Sequence, residues 1–291
     1  MRFCLIFLLT FASLLQANCS LAKDKSRIIV AGGSLTEIIF FLEEQKNLVA
    51  VDITSNYPAQ ATELPSIGYV RALSTEGVLS LSPTLILGEE DMGPSLVVDQ
   101  IESTGVDLRV IEENYTLQTI KNKISCIASI LDVQDKSDSI VELELKDKID
   151  NLEKLSQKNQ LNNLKVMIIL GMDGTSPTIA GLNTSGNGFI EMIGGVNIMN
   201  SFDGWKPVSA ESILVANPDL IIITNRGLAN FGTLDELAKH PSLSFTNAAL
   251  NNNLMAIDGM SLLGFGPRTI DVANNVAKNL QSIKSVSYTH L

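Results

Sequence analysis

Two stretches of the chain repeat one another, and this duplication limits the fold more than any other feature. Leu73–Leu87 (LSTEGVLSLSPTLIL) aligns without a gap on Val208–Ile222 (VSAESILVANPDLII), at an offset of 135 residues. The alignment pairs Ser74 with Ser209, Glu76 with Glu211, Leu79 with Leu214, Pro83 with Pro218 and Ile86 with Ile221. A Ser followed two positions later by Glu suits a helix start. The hydroxyl caps an orphan N–H, and the carboxylate meets the positive end of the peptide dipoles. The Pro then ends the helix, since it has no N–H to give and disfavours helical geometry in the residue before it. One helix–Pro–strand unit in each half predicts two related lobes.

Short, nearly continuous apolar runs extend the pattern: Arg27–Ala31, Leu48–Val51, Thr84–Leu87 and Leu108–Ile111, then Lys165–Leu170, Leu220–Thr224 and Leu254–Ile257. Such runs read as strands buried on both faces of a parallel sheet. Helical stretches such as Leu35–Leu42 and Ser95–Thr104 lie between them. The fold class is therefore α/β, with two Rossmann-like lobes built on mainly parallel sheets. Between the halves, Asp132–Gln160 lacks Gly and Pro and spaces Ile140, Leu143, Leu145, Ile149, Leu152 and Leu155 in a broadly helical way. It reads as one long, stiff bridging helix, so the lobes are expected over residues 23–131 and 161–285. A ligand is expected in the cleft between lobes so joined.

The first 22 residues read as an address. Arg2 precedes an apolar run from Phe3 to Leu15, too short to span a membrane, and Ser20-Leu21-Ala22 supplies small residues for cleavage after Ala22. Export to the periplasm follows. Cys19 raises a lipoprotein alternative, which Asn18 just before it disfavours. On this reading Cys4 and Cys19 leave with the leader, and Cys126 remains alone without a disulfide. Residues 286–291 lack periodicity and read as a tail, either a frayed end or non-native in origin. A net charge of −11 argues against a nucleic-acid partner, and 45% hydrophobic residues supply ample core.

The search for catalytic groups finds little. His240 and His290 are the only histidines, too few for a His-rich metal site. Gly32-Gly33-Ser34 could cradle a phosphate between a strand and a helix, but it lacks a third glycine, and an ordinary tight turn is the favoured reading. Cys126 lies in an apolar helical stretch that suits a buried thiol. The loop Leu64–Leu73 (LPSIGYVRAL) is different, because it exposes Tyr69 in a chain with only 5% aromatic residues. Tyr69 either caps the lobe core or offers a phenolate, a hard anionic oxygen suited to ferric iron, and a nearby Arg would favour the phenolate form. Arg71 follows Tyr69 by two, and Arg226 sits just beyond a strand of the other half, where open α/β sheets bind ligands. Each can serve a ligand or a surface salt bridge.

Ile67–Leu81 (IGYVRALSTEGVLSL), Asp203-Gly204-Trp205 through Glu211, and Thr224–Leu228 together resemble the periplasmic haem-binding proteins of bacterial ABC haem importers. The resemblance covers about residues 27–283. It implies Tyr69 as the axial ligand of ferric haem, Arg226 as its support, and Glu76 and Glu211 as the acids that dock on the arginines of a permease dimer carrying a cytoplasmic ATPase. Arg71 would assist a propionate. An outer-membrane haem receptor system is a further partner to consider. Some members add a His from the second lobe, but the matching stretch Leu170–Thr175 (LGMDGT) has none. That excludes bis-ligation through His and argues against a stacked pair of haems. Met172 either packs or contacts the ring. The resemblance implies transport, with no enzyme activity. Its rivals are a ferric siderophore or corrinoid in the same fold, an exported nucleotide- or sugar-phosphate-using enzyme, and a haem storage or adhesion protein.

Overall fold

The computed structural model describes residues 19–173 and 176–283, so most of the expected leader and the expected tail at 286–291 lie outside the described residues. The chain divides into two units. Unit 1 holds the described residues up to Glu112 together with Asn122–Ser137, and unit 2 holds Glu113–Lys121 and the described residues from Asp138 onward. The segment 113–121, expected in the first lobe, thus belongs to the second unit.

Unit 1 begins β1 (Ile28–Ala31), α1 (Gly33–Phe41), β2 (Leu48–Val51), α2 (Thr75–Leu79), β3 (Leu85–Glu89), α3 (Ser95–Ser103) and β4 (Asp107–Ile111). Its sheet has the order β2-β1-β3-β4 and every pairing is parallel. Ile29, Ala31, Ala50 and Ile86 from these strands pack with Val78 of α2, Ile101 of α3 and the loop residues Ile67, Val70 and Leu73. Loop residues in the core matter, because they fix the backbone of whatever lies between them.

Helices α4 (Leu117–Leu131), α5 (Gln134–Glu144) and α6 (Lys146–Gln160) follow. The single helix expected over 132–160 is replaced by α5 and α6. The break falls at Leu145, which has φ −117°, yet the hydrogen bonds continue through it: the Leu145 N–H donates to Val141 O at 3.0 Å and the Ile149 N–H donates to Leu145 O at 2.8 Å. Asn159 is fully buried and donates to the carbonyls of Ile193 (2.9 Å) and Ala277 (3.0 Å), so α6 is fastened within unit 2 rather than solvated all round.

Unit 2 continues β5 (Lys165–Asp173), β6 (Ser176–Ala180), α7 (Ser185–Met192), β7 (Val196–Asn197), β8 (Trp205–Pro207), α8 (Ala210–Ala216), β9 (Leu220–Thr224) and α9 (Asn225–Leu228). It ends with α10 (Leu234–Ala238), α11 (Asn247–Leu250), β10 (Leu254–Ile257), α12 (Gly259–Leu263) and α13 (Pro267–Ser282). Its sheet runs β10-β9-β5-β6-β8, with β7 beside β5. Strands β10, β9 and β5 are parallel, whereas β6 and β8 add antiparallel pairings that the sequence reading did not anticipate.

The duplication is visible in the backbone. Ser74 Oγ accepts from the Gly77 N–H at 3.0 Å to cap α2, and Ser209 Oγ accepts from the Ser212 N–H at 3.2 Å to cap α8. Each helix then leads to a left-handed residue just before the repeated Pro, Ser82 in one unit and Asn217 in the other, both with φ 49°. Neither is glycine, so a rare conformation has been placed at the same point of both repeats.

Candidate functional site

In unit 1 the segment 65–68 lies along the end of β2. The Val51 N–H donates to Pro65 O and the Ile67 N–H to Val51 O, both at 3.0 Å, and the Ile53 N–H donates to Gly68 O at 2.9 Å. Gly68 has φ 94°, a conformation that side chains with a Cβ rarely adopt. The chain then turns, with the Ala72 N–H donating to Tyr69 O at 2.8 Å, and is clamped by the loop after β3: the Gly93 N–H donates to Val70 O and the Leu73 N–H to Gly93 O, both at 2.9 Å. Ile67, Val70 and Leu73 are buried around it, while Tyr69 is 39% exposed. The loop therefore presents one aromatic outward on a backbone held from both sides. Ile53, bonded to the loop through Gly68 O, and Tyr57 are also exposed. Neither carried a sequence signal beyond being an apolar or aromatic residue past a strand end.

Arg71 is not directed at an open space. Its Nε donates to Asp91 Oδ2 at 2.7 Å, and the pair is closed by a second nitrogen at 2.5 Å. Both side chains are well exposed, and such a surface pair is worth about 0–1 kcal/mol, so a ligand anion could compete for the guanidinium.

In unit 2 Thr224 ends β9 and does two jobs. Its hydroxyl donates to Leu170 O at 2.7 Å and accepts from the Gly227 N–H at 3.0 Å, which locks the short helix α9 against the end of β5. A Cβ on Gly227 would lie 2.7 Å from Leu170 O, so only glycine fits this approach. Arg226 rides on that turn. It is exposed, and among the described residues it has no hydrogen-bond or ion-pair partner. Met172 is buried in β5, opposite Pro177 of β6, which favours its packing reading. Leu170, two residues earlier, is the exposed apolar side chain at this strand end. Sequence reasoning passed over it because it continues a buried run.

Glu76 and Glu211 each occupy the first turn of a helix, α2 and α8, and both are exposed. The peptide dipoles there favour a carboxylate and leave its oxygens available to a cation outside the protein.

The Gly32-Gly33-Ser34 turn is filled by the protein itself. Glu89 Oε1 accepts from the Ser34 N–H at 3.0 Å and from Ser34 Oγ at 2.6 Å, and Lys123 Nζ donates to Ser34 Oγ at 3.0 Å. A Cβ on Gly32 would sit 2.4 Å from Glu89 Cγ, which explains the glycine without a phosphate. Burial pushes the Glu89 carboxyl up to about 7, against the lowering pull of Lys123 and the Ser34 hydrogen bonds. Asp52 is likewise spent on structure, accepting from the N–H groups of Gly32 (3.0 Å) and Thr54 (2.9 Å).

One expectation is corrected outright. Cys126 is not a lone thiol: it is bonded to Cys19, which the sequence reading discarded with the leader. The described residues contain no group of three or more His, Cys, Asp or Glu able to hold a metal ion. A metal bound at a single phenol oxygen would have to bring its other ligands with it.

One parallel-sheet unit and one mixed-sheet unit, repeated in sequence and each presenting candidate ligand groups near its strand ends, define a substrate-binding protein of the two-unit α/β type. The periplasmic binding protein family model matches residues 28–260, and the chain belongs to that family. Among solved structures, periplasmic heme-binding protein RhuT from Roseiflexus sp. RS-1, in apo form, is 31% identical with a TM-score of 0.81, covering 89% of this chain and 99% of its own. Periplasmic heme-binding protein BhuT, in complex with two hemes, is 31% identical with a TM-score of 0.80, covering 88% and 98%. The vitamin B12-binding protein of Vibrio parahaemolyticus is 23% identical over 97% of this chain and 98% of its own length. No helix among the described residues is long and apolar enough to cross a membrane.

Proposed function

We propose that this protein captures ferric haem in the periplasm and delivers it to an inner-membrane ABC importer. The observation that carries the reading is Tyr69, the one aromatic side chain that the Ile67–Leu73 loop turns outward while its neighbours are pinned in the core. A phenolate oxygen is a hard donor for Fe(III), and a porphyrin already supplies the four equatorial nitrogens, so one protein atom completes the bond. Arg226, exposed and unpaired among the described residues, offers positive charge to a haem carboxylate. Arg71 exchanges Asp91 for a propionate. Met172 keeps to its packing role, and each unit has an exposed apolar side chain available to a cargo, Ile53 in unit 1 and Leu170 in unit 2. Glu76 and Glu211 bind arginines of the permease. No covalent bond of the cargo changes, so the work is capture and release. The two haem-binding structures at 31% identity support this cargo.

The second reading is a corrinoid, favoured by the vitamin B12-binding relative that spans 97% of the chain. Parallel titrations with hemin and cyanocobalamin separate the two. Saturable hemin binding with no cobalamin binding is expected. Saturable cobalamin binding alone would replace haem as the cargo.

A further inference from the structure

The N-terminal strip of unit 1 is built into the fold at residues that a cut after Ala22 would remove. Cys19 is joined to Cys126 of α4, with the two Cα atoms 4.8 Å apart. Ser20 Oγ accepts from Arg109 Nη1 of β4 at 3.0 Å. Ala22 is 4% exposed, and its N–H donates to Ile130 O of α4 at 3.0 Å. Lys25 donates to Leu131 O at the end of the same helix. Four successive attachments to β4 and α4 fasten residues 19–25 to unit 1, and three of the four would be lost with a mature chain beginning at Lys23.

We propose that the leader is removed upstream of Cys19, after Ala17, and that Cys19 is retained to form a structural disulfide with Cys126. Ala17 offers the small residue that export peptidases require at the cut, two positions after the apolar run ends at Leu15. Water adds across the Ala17–Asn18 amide, leaving a carboxylate on the leader and an amine on Asn18. The Cys19 and Cys126 thiols then give up two protons and two electrons to a disulfide oxidant of the export compartment, by way of a mixed disulfide, and the oxidant becomes a dithiol. The same assignment excludes lipidation, because a thioether to diacylglycerol would consume the Cys19 sulfur. A bond spanning 107 residues of sequence ties the start of unit 1 to its last helix, which is where a chain terminus otherwise frays.

The test is intact mass. The full chain with its own leader is exported in a Gram-negative host, purified from the periplasm, and treated with iodoacetamide before and after reduction. The expected product begins at Asn18, takes no adduct before reduction and two afterwards. A product beginning at Lys23 with one adduct, a diacylglyceryl group on Cys19, or two adducts without reduction would each overturn the proposal. Ala17→Phe supplies an independent arm, in which leader retention is expected and unchanged processing would overturn the site. With Cys126→Ser, one adduct mapping to Cys19 is expected without reduction; absence of Cys19 from the exported chain would contradict its retention.

Discussion

At the scale of single residues, the site depends on which side chains are already spent. Ser34 belongs to a turn that could hold a phosphate in sequence, but Ser34, Glu89 and Asp52 are all consumed by the structure around it. Glu89 also carries a pH signature. Its folded-state value, about 7, stands above its ordinary 4.5, so the folded protein holds a proton that the unfolded chain has released. The sign follows: stability from this group is present below pH 4.5 and is lost as pH rises through 7. Thermal melts at pH 5.5 and pH 8 should therefore show the native chain losing more stability on going to pH 8 than Glu89→Gln does. Equal pH dependence in the two would show that the Glu89 carboxyl is already ionised across the range. The Arg71–Asp91 pair was invisible in sequence because its partners lie twenty residues apart on different loops. The Cys19–Cys126 pairing left no trace in sequence for a related reason: Ser20-Leu21-Ala22 satisfies a cleavage pattern, and only the bond and the burial of Ala22 show that the same residues fit the fold.

At the scale of elements, the duplicated unit sets the start of a helix and the entry to a strand in both halves. The caps Ser74 and Ser209 act at exposed helix ends, where replacing Ser by Ala costs about 1 kcal/mol. Ser74→Ala and Ser209→Ala should each lower the unfolding midpoint by an amount of that order, measured by denaturant titration, and their effects should add because the residues belong to separate units. A near-zero cost in both would mean that α2 and α8 are fixed by the Val78 and Ile213 packing alone. The strands were legible because fully buried parallel strands are written as apolar β-branched runs, as in Leu220–Thr224. The β6 and β8 pairing was not, since Pro177, Pro207 and Lys206 interrupt any run and their hydrogen-bonding edge is set by β5. Leu145 kept its helical spacing, so the distortion that separates α5 from α6 left no trace in the pattern.

At the scale of the whole molecule, the repeat places an exposed acid at the same position in each unit. Glu76 and Glu211 belong to the first turns of α2 and α8, outside the Tyr69 loop and the Arg226 turn. If they serve the permease, cargo binding and delivery are separable properties. Glu76→Ala and Glu211→Ala should leave hemin affinity unchanged while each reduces haem uptake in cells supplied with the cognate permease, and the double variant should abolish it. Unchanged uptake in the double variant would instead favour a haem store without a transporter. The family and the two-unit architecture were legible in the duplication and in the loop motif. The cargo was legible only through the Tyr69 loop motif, because a corrinoid fits the same frame.

Everything in the account turns on Tyr69, so the deciding measurement is hemin titration followed by absorption spectroscopy, with the native chain and Tyr69→Ala in parallel. The account predicts saturable binding by the native protein with a high-spin ferric phenolate spectrum, and loss of that spectrum with at least a tenfold weaker affinity in the variant, about 1.4 kcal/mol. An unchanged spectrum and affinity in Tyr69→Ala would contradict it.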